Sequence, residues 1–215
     1  IVFDKVSFTY PDTGVVALKD VSFELKTGEK MALIGRTGSG KSTIAELLVR
    51  KYDVQKGSIS IDGVDIRDIN LKDLRTQIGY VPQDVFLFSE TIKNNIAFGT
   101  DKATDKMVVL AAEQAAIRND IEQLPEQFNT LVGERGVTLS GGQKQRISLA
   151  RALIKNPEII ILDDCLSAVD ASTEDQILTM LNTYLKNKTA IIITHRIFAL
   201  MNFDKIIVLH EGKVA

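Results

Sequence analysis

A short glycine-rich segment contains the residue types that bind phosphate groups. Residues 35–43 read GRTGSGKST and fit the pattern G-x-x-x-x-G-K-[ST], with Gly35, Gly40, Lys41 and Ser42 at its fixed positions. Glycines let the backbone wrap around a polyphosphate, amide groups at the start of a helix face the anion, and a lysine adds a positive charge. The segment therefore predicts a binding site for a nucleoside triphosphate.

Two further segments suit the same chemistry. LSGGQ at residues 139–143 places a serine and two glycines at the start of a predicted helix, which would form a second anion-binding helix terminus. The apolar run EIIILD ends in a carboxylate at Asp163, and Asp164 follows. We predict that this run is a strand, and ligands bind at the carboxyl edge of such sheets.

The hydrophobic pattern predicts the elements that position these segments. KMALIG at 30–35 is a buried strand that leads into the glycine loop, and a helical run leads out of it. Two N-terminal strands are predicted to be antiparallel and joined by the turn-rich segment 11–20. Helical patterns cover 104–116, 172–185 and 141–156, the last of which ends before Pro157.

This order of elements indicates an α/β fold of the P-loop NTPase kind. We predict a mostly parallel sheet flanked by helices, with an antiparallel β patch and an inserted α-helical subdomain. The expected division is an ATP-binding core in two parts, residues 1–83 and 158–215, interrupted by a helical subdomain with the signature at 84–157.

Composition narrows the class of protein. The chain has 215 residues and a net charge of −2, which gives no electrostatic reason to expect nucleic acid as a partner. No apolar stretch approaches the roughly 18 residues of a membrane span. The single cysteine, Cys165, excludes an internal disulfide and fits a reducing compartment, and a small buried hydrophobe is its expected role.

Together the three segments resemble the nucleotide-binding domain of an ATP-binding cassette (ABC) transporter. The resemblance covers essentially the whole chain, and LSGGQ followed by KQRISLARAL is its most specific element. It implies that two such domains pair head to tail and bind each ATP between the phosphate loop of one and the signature of the other. It also implies Mg²⁺, a transmembrane domain as partner, and a place on the cytoplasmic face of a membrane.

The resemblance assigns roles to single residues. Tyr10 would stack on adenine, His195 would contact the γ-phosphate, and the loop SAVD at 167–170 would touch the opposite subunit's site. The expected ligands of Mg²⁺ are Ser42, Gln83 and, through water, Asp163. The expected catalytic residues are Lys41, Asp164 and His195. The expected ATP-binding residues are Tyr10, Gly35, Arg36, Thr37, Gly38, Ser39, Gly40, Lys41, Ser42, Thr43, Gln83, Ser140, Gly141, Gly142 and Gln143.

Asp164 departs from the family pattern, which has glutamate to orient or deprotonate the attacking water. Aspartate offers the same carboxylate one methylene shorter, and a displacement of roughly 1 Å can cost about a hundredfold in rate. Three accounts are open: a poor base, a compensating backbone shift, or a site that holds ATP mainly to close the dimer. The last resembles asymmetric heterodimeric exporters, and we favour a heterodimer half.

Two stretches favour an exporter over an importer. GERG at 133–136 resembles an exporter segment that contacts the membrane domain, and LFSETIKNNIAFG at 87–99 resembles the stretch that receives helices from the membrane half. That half would precede Ile1. Two other functions are open: a non-transport cassette protein acting on DNA or the ribosome, and a regulatory module that binds nucleotide without turnover.

The first prediction concerns the phosphate loop. Lys41→Ala should weaken ATP binding about tenfold or more, because it removes a charge-assisted contact to the phosphates. Equilibrium titration of the variant with ATP measures the effect, and an unaltered affinity would contradict the assignment of the loop.

Overall fold

The computed structural model describes residues 1–133, 138–195 and 201–215. The strands are β1 (Val2–Thr9), β2 (Val16–Glu24), β3 (Lys30–Gly35), β4 (Lys56–Ile61), β5 (Val64–Asp65), β6 (Ile78–Val81), β7 (Ile159–Asp163), β8 (Thr189–Ile193), β9 (Lys205–His210) and β10 (Lys213–Val214). The helices are α1 (Lys41–Leu48), α2 (Leu71–Gln77), α3 (Ile92–Ala97), α4 (Asp105–Gln114), α5 (Arg118–Glu122), α6 (Gly141–Leu153) and α7 (Ala171–Tyr184), with a 3₁₀ turn at Gln127–Asn129.

Contacts divide the chain into two compact units. The core unit consists of residues 1–80, 158–163 and 187–215, and the helical unit consists of residues 81–157 and 164–186.

The central sheet of the core unit has the strand order β10-β9-β3-β8-β7-β6. Strand β3 pairs in parallel with both β8 and β9, and β7 pairs in parallel with β8, while β10 is antiparallel to β9. The β7 and β8 strands are buried at every residue, as expected of parallel strands covered on both faces. The prediction of a mostly parallel sheet is confirmed.

A second sheet of four strands, in the order β2-β1-β4-β5, forms the predicted antiparallel patch. Phe3 pairs with Phe23 of β2, and the two rings stack with centroids 4.4 Å apart. The turn predicted over 11–20 was wrong in its second half, because β2 begins at Val16. Ala17 and Leu18 are buried in the core, and this burial outweighs the turn-forming residues around them.

Helix α6 is the main packing element of the helical unit, where it contacts α3 and α4. Its Arg151 donates hydrogen bonds to the main-chain carbonyl and to the side-chain oxygen of Asn95, each at 2.8 Å. Asn95 is fully buried, and its amide also donates to the carbonyls of Phe88 and Thr91. These bonds compensate for the burial of the Asn95 side chain.

A stability prediction follows from the central strand. Leu33 of β3 is fully buried, so Leu33→Ala should lower the free energy of unfolding by about 2–5 kcal/mol through lost burial and a cavity. Ile206→Ala is the control, since Ile206 lies in neighbouring β9 but is 61% exposed, and it should cost about 0.5 kcal/mol or less. Urea denaturation measures both, and equal losses would contradict the assigned core.

Candidate functional site

The predicted phosphate loop connects β3 to α1. The Nζ of Lys41 donates hydrogen bonds to the carbonyl oxygens of Gly35 at 2.8 Å and Arg36 at 3.0 Å. Lys41 is buried although it carries a charge, and Ser39 is buried beside it. The loop therefore holds an ammonium group at the start of α1, where main-chain N–H groups also lack intrahelical acceptors.

Two glycines are required by close approach of neighbouring strands. Gly35 has a φ of +154°, and a Cβ there would lie 2.3 Å from the carbonyl oxygen of Leu209 in β9. Gly40 has a φ of +101°, and its Cβ would lie 2.5 Å from the carbonyl oxygen of Ala17 in β2. No side chain fits at either position, so the glycines of the pattern fix how the loop packs on the sheets.

The carboxyl edge of the central sheet adds two predicted residues. Asp163, Ile193 and Leu33 are in register across β7, β8 and β3, so the strand-end carboxylate lies at the edge where the phosphate loop begins. Asp163 is 2% exposed, and His195 is exposed two residues beyond the end of β8. Burial, and secondarily the charge of Asp163, raises the pKa of Tyr80.

Tyr10 lies just after β1 and contacts helix α1. Its hydroxyl donates to Glu46 at 2.8 Å and lies 2.9 Å from the hydroxyl of Thr43. Burial is the main cause that raises the pKa of Tyr10 to about 12. The core unit thus contains Tyr10, the phosphate loop, Asp163 and His195, four parts of the site predicted from the sequence.

The three residues predicted to bind Mg²⁺ carry different kinds of oxygen atom. Among residues 1–133, 138–195 and 201–215, no group of three or more His, Cys, Asp or Glu side chains could hold an ion. Ser42 is the second residue of α1, Asp163 ends β7, and both belong to the core unit, whereas Gln83 is an exposed residue of the helical unit. Hydroxyl, carboxylate and amide oxygens are hard ligands that suit Mg²⁺.

The signature begins α6 with a complete capping box. Ser140 accepts a hydrogen bond from the amide of Gln143 at 3.2 Å, and the Gln143 side chain accepts one from the amide of Ser140 at 3.0 Å. A Cβ at Gly142 would lie 2.8 Å from the carbonyl oxygen of Ala168. The signature glycine is therefore also needed because the loop SAVD packs against the helix start.

The ion pair between Asp120 and Arg146, which is hydrogen-bonded to Gln143 of the signature, was not predicted from the sequence. Asp120 of α5 accepts hydrogen bonds from Arg146 at 2.8 and 2.9 Å and from the side chain of Gln143 at 3.2 Å. Burial alone would raise the pKa of Asp120, but the bonds from Arg146 and Gln143 outweigh it and lower that pKa. The available signal was an arginine one helical turn after Gly142, on the inward face of α6.

Asp164 lies in the helical unit and has a left-handed backbone, with φ at +46°. Aspartate is among the few non-glycine residues that adopt this conformation readily. Cys165 next to it is a free buried thiol, as expected. In the segment GERG, Gly133 is exposed, and residues 134–136 lie outside the described residues.

Phosphate loop, strand-end carboxylate and parallel sheet define the core unit as a P-loop nucleotide-binding fold. A family model described as ABC transporter matches residues 18–167. The chain therefore belongs to the ABC transporter family, as a nucleotide-binding domain of the exporter type. Domains of this family bind ATP and are in general ATPases. Within the described part of the chain, no helix is both long and apolar enough to span a membrane.

Comparison with known proteins supports the exporter type. The chain is 51% identical to "Probable multidrug resistance ABC transporter ATP-binding/permease protein YheI" of Bacillus subtilis (strain 168) and 45% identical to an "ATP-dependent lipid A-core flippase" of Methylobacillus flagellatus. Each match covers all of this chain, which spans 37% of either relative. A solved bacterial Atm1-family ABC exporter with ATP bound superposes with a TM-score of 0.93 at 45% identity, over all of this chain and 37% of that structure.

The Asp120–Arg146 pair predicts a pH-dependent stability. Because the folded-state pKa of Asp120 is lowered, its stabilisation is fully present above the ordinary carboxyl pKa of about 4 and is lost as the pH falls below it. Asp120→Asn should therefore be less stable than the unsubstituted chain at pH 7, and the difference should narrow towards pH 3.5.

Urea denaturation at the two pH values measures this difference. Asp105→Asn is the matched control, because Asp105 is also paired with a cation, Lys93, but its side chain is 79% exposed. We expect this substitution to have little effect at either pH. A difference for Asp120→Asn that does not change with pH would contradict the assigned ion pair.

Proposed function

We propose that the chain is the ATP-hydrolysing motor of an exporter and acts as a head-to-tail pair with a second nucleotide-binding domain. The observation that carries the proposal is that the chain has two helix starts that contain glycine, the phosphate loop before α1 and the capped signature before α6, each of which places main-chain N–H groups where an anion could contact them. One chain holds both, in separate units. In the proposed pair, the loop of one domain and the signature of the other bind the same ATP.

The core unit would bind the triphosphate. The amides at the start of α1 and the Lys41 ammonium contact the phosphates, and Tyr10 contacts the adenine base. Ser42, Gln83 and, through water, Asp163 are the proposed ligands of Mg²⁺, which when bound would supply positive charge next to the phosphates. Residues 1–83 and 158–215 are the proposed ATP-binding core, with 84–157 as the subdomain that carries the signature.

Hydrolysis would proceed by attack of water on the γ-phosphorus. The bond to the leaving ADP oxygen breaks, the water loses a proton to the Asp164 carboxylate, and His195 contacts the γ-phosphate that is transferred. Lys41 stabilises the charge that develops on the phosphate oxygens. These roles make Lys41, Asp164 and His195 the proposed catalytic residues.

One observation favours a second candidate function, a subunit that binds ATP to regulate a heterodimeric exporter with little hydrolysis. Asp164 is one methylene shorter than glutamate, and its left-handed backbone suits aspartate better than the longer residue. In such a pair the intact signature of this chain would complete the partner's competent site. His195, which matches the family pattern, supports residual activity in this chain's own site.

The proposed cycle is coupled to a transmembrane domain in the same polypeptide or in a separate one, with this chain on the cytoplasmic face of the membrane. One relative, 51% identical, is named for multidrug resistance, and another, 45% identical, is named a lipid A-core flippase. Relatives with a similar nucleotide-binding domain therefore have names that refer to different cargo. Cargo that favours one state of the membrane domain would shift ATP turnover, because coupling is reciprocal.

A negative charge introduced at Ser140 of the signature tests the proposed head-to-tail pairing. Ser140→Asp keeps a good N-cap but directs a carboxylate at the anion, whereas Ser140→Asn keeps the cap without charge. We expect Ser140→Asp to abolish ATPase activity and ATP-dependent pairing without changing the ATP affinity of the unpaired domain, and Ser140→Asn to keep most of the activity. If Ser140→Asp weakens ATP binding by the unpaired domain as Lys41→Ala does, the signature acts on its own chain and head-to-tail pairing is wrong.

A substitution at Asp164 separates the two candidate functions. Asp164→Glu restores the longer side chain and should raise ATP turnover, by up to about a hundredfold if reach alone limits the base. Asp164→Asn is the control and should lower turnover, because an amide takes up no proton from water. Steady-state phosphate release measures both, and an unchanged rate in Asp164→Glu would show that the short side chain is not the defect.

A further inference from the structure

Four side chains of the core unit form a connected network between the end of β1 and helix α1. The Tyr10 hydroxyl donates to Oε2 of Glu46 at 2.8 Å, and it lies 2.9 Å from Oγ1 of Thr43. The second carboxylate oxygen of Glu46, Oε1, accepts from Nζ of Lys51 at 2.5 Å. Glu46 is thus the junction of the network, and it has no role in the site described above.

The Glu46 carboxylate determines which hydroxyl group donates in each hydrogen bond of the network. A carboxylate only accepts, so the single phenolic proton of Tyr10 is given to Glu46. Tyr10 keeps that proton at physiological pH, since burial raises its pKa to about 12. The hydroxyl of Thr43 must then donate to the oxygen of Tyr10. While this order holds, the Thr43 hydroxyl has no proton left to donate to a phosphate.

Aromatic packing holds the other part of Tyr10. Its ring is nearly perpendicular to the rings of Phe8 and Tyr52, with centroids 5.1 and 5.5 Å away and interplanar angles of 81° and 90°. Packing fixes the body of the side chain, and Glu46 fixes its hydroxyl. A ring restrained in both ways is preorganised, so binding a flat ligand to it loses less conformational entropy.

We infer that Glu46 is a positioning residue for recognition of the nucleotide base. It acts through Tyr10, whose orientation it sets from within the helix that begins at the phosphate loop. The hydrogen bond thus connects the proposed base-binding ring of Tyr10 to helix α1, which begins at the phosphate loop. This inference rests on the proposed stacking of Tyr10 on adenine, and it assigns to Glu46 no contact with the nucleotide.

The test compares ligands with and without a base. The complete polypeptide is titrated at equilibrium with ATP and with inorganic tripolyphosphate, both in the presence of Mg²⁺. Glu46→Ala should weaken ATP binding about threefold to tenfold, the loss that corresponds to one ordinary hydrogen bond, because Glu46 acts only through Tyr10, and should leave tripolyphosphate binding unchanged.

Two variants separate the Tyr10 bond from the rest of the network. Glu46→Gln keeps an oxygen that accepts from Tyr10 but loses the negative charge, so it should bind ATP nearly as the unsubstituted protein does. Lys51→Ala is the matched control, because it removes the other partner of the same carboxylate while Glu46 still accepts from Tyr10. Its ATP affinity should also be unchanged.

A double variant tests whether Glu46 acts through the ring. Tyr10→Ala should weaken ATP binding, and adding Glu46→Ala to it should cause no further loss. An equal loss for ATP and tripolyphosphate in Glu46→Ala, or a further loss in the double variant, would overturn the inference and leave the role of Tyr10 intact. A Tyr10→Ala variant with unchanged ATP affinity would overturn both, because the proposed base contact itself would be absent.

Discussion

The close approach of two strands to the phosphate loop is the constraint on which the site depends. The carbonyls of Leu209 in β9 and Ala17 in β2 occupy the space that a Cβ would need at Gly35 and Gly40. Glycine at these two positions lets the phosphate loop pack closely against both sheets of the core unit. The loop can then hold the buried ammonium of Lys41 against its own carbonyls at the start of α1. Packing and phosphate chemistry thus require the same residues.

The two helix starts differ in how their amides are satisfied. Helix α1 begins after Gly40 with no side-chain cap. Helix α6 begins with a complete capping box at Ser140, and Gln143 also donates a hydrogen bond to Asp120. The uncapped start suits contact with an anion, while groups at the start of α6 already form hydrogen bonds within the chain. This difference fits the proposed roles, in which the loop binds ATP and the signature of a second domain completes the site.

Most elements and the segments of the site were predictable because they depend on local pattern. The strand before Gly35, the strand that ends at Asp163 and the helix after Ser140 are each encoded by apolar runs and by nearby glycine or serine residues. The error at Val16 arose because burial of Ala17 and Leu18 is a tertiary effect. The contacts of Asp120 with Arg146 and of Tyr10 with Glu46 join residues 26 and 36 positions apart, and no local pattern encodes such pairs.

The central claim is that the phosphate loop of one chain and the signature of a second bind the same ATP. Its most direct test is the distance between a spin label at Val16 of one domain, beside the Ala17 carbonyl that contacts Gly40, and a label at Lys144 of the paired domain, just after the signature, in the complete protein with any cognate partner. Both positions are exposed, and labelling uses a Cys165→Ser background. With hydrolysis blocked, ATP should shorten this intermolecular distance markedly relative to the nucleotide-free protein. An intermolecular distance that ATP leaves unchanged would contradict the account.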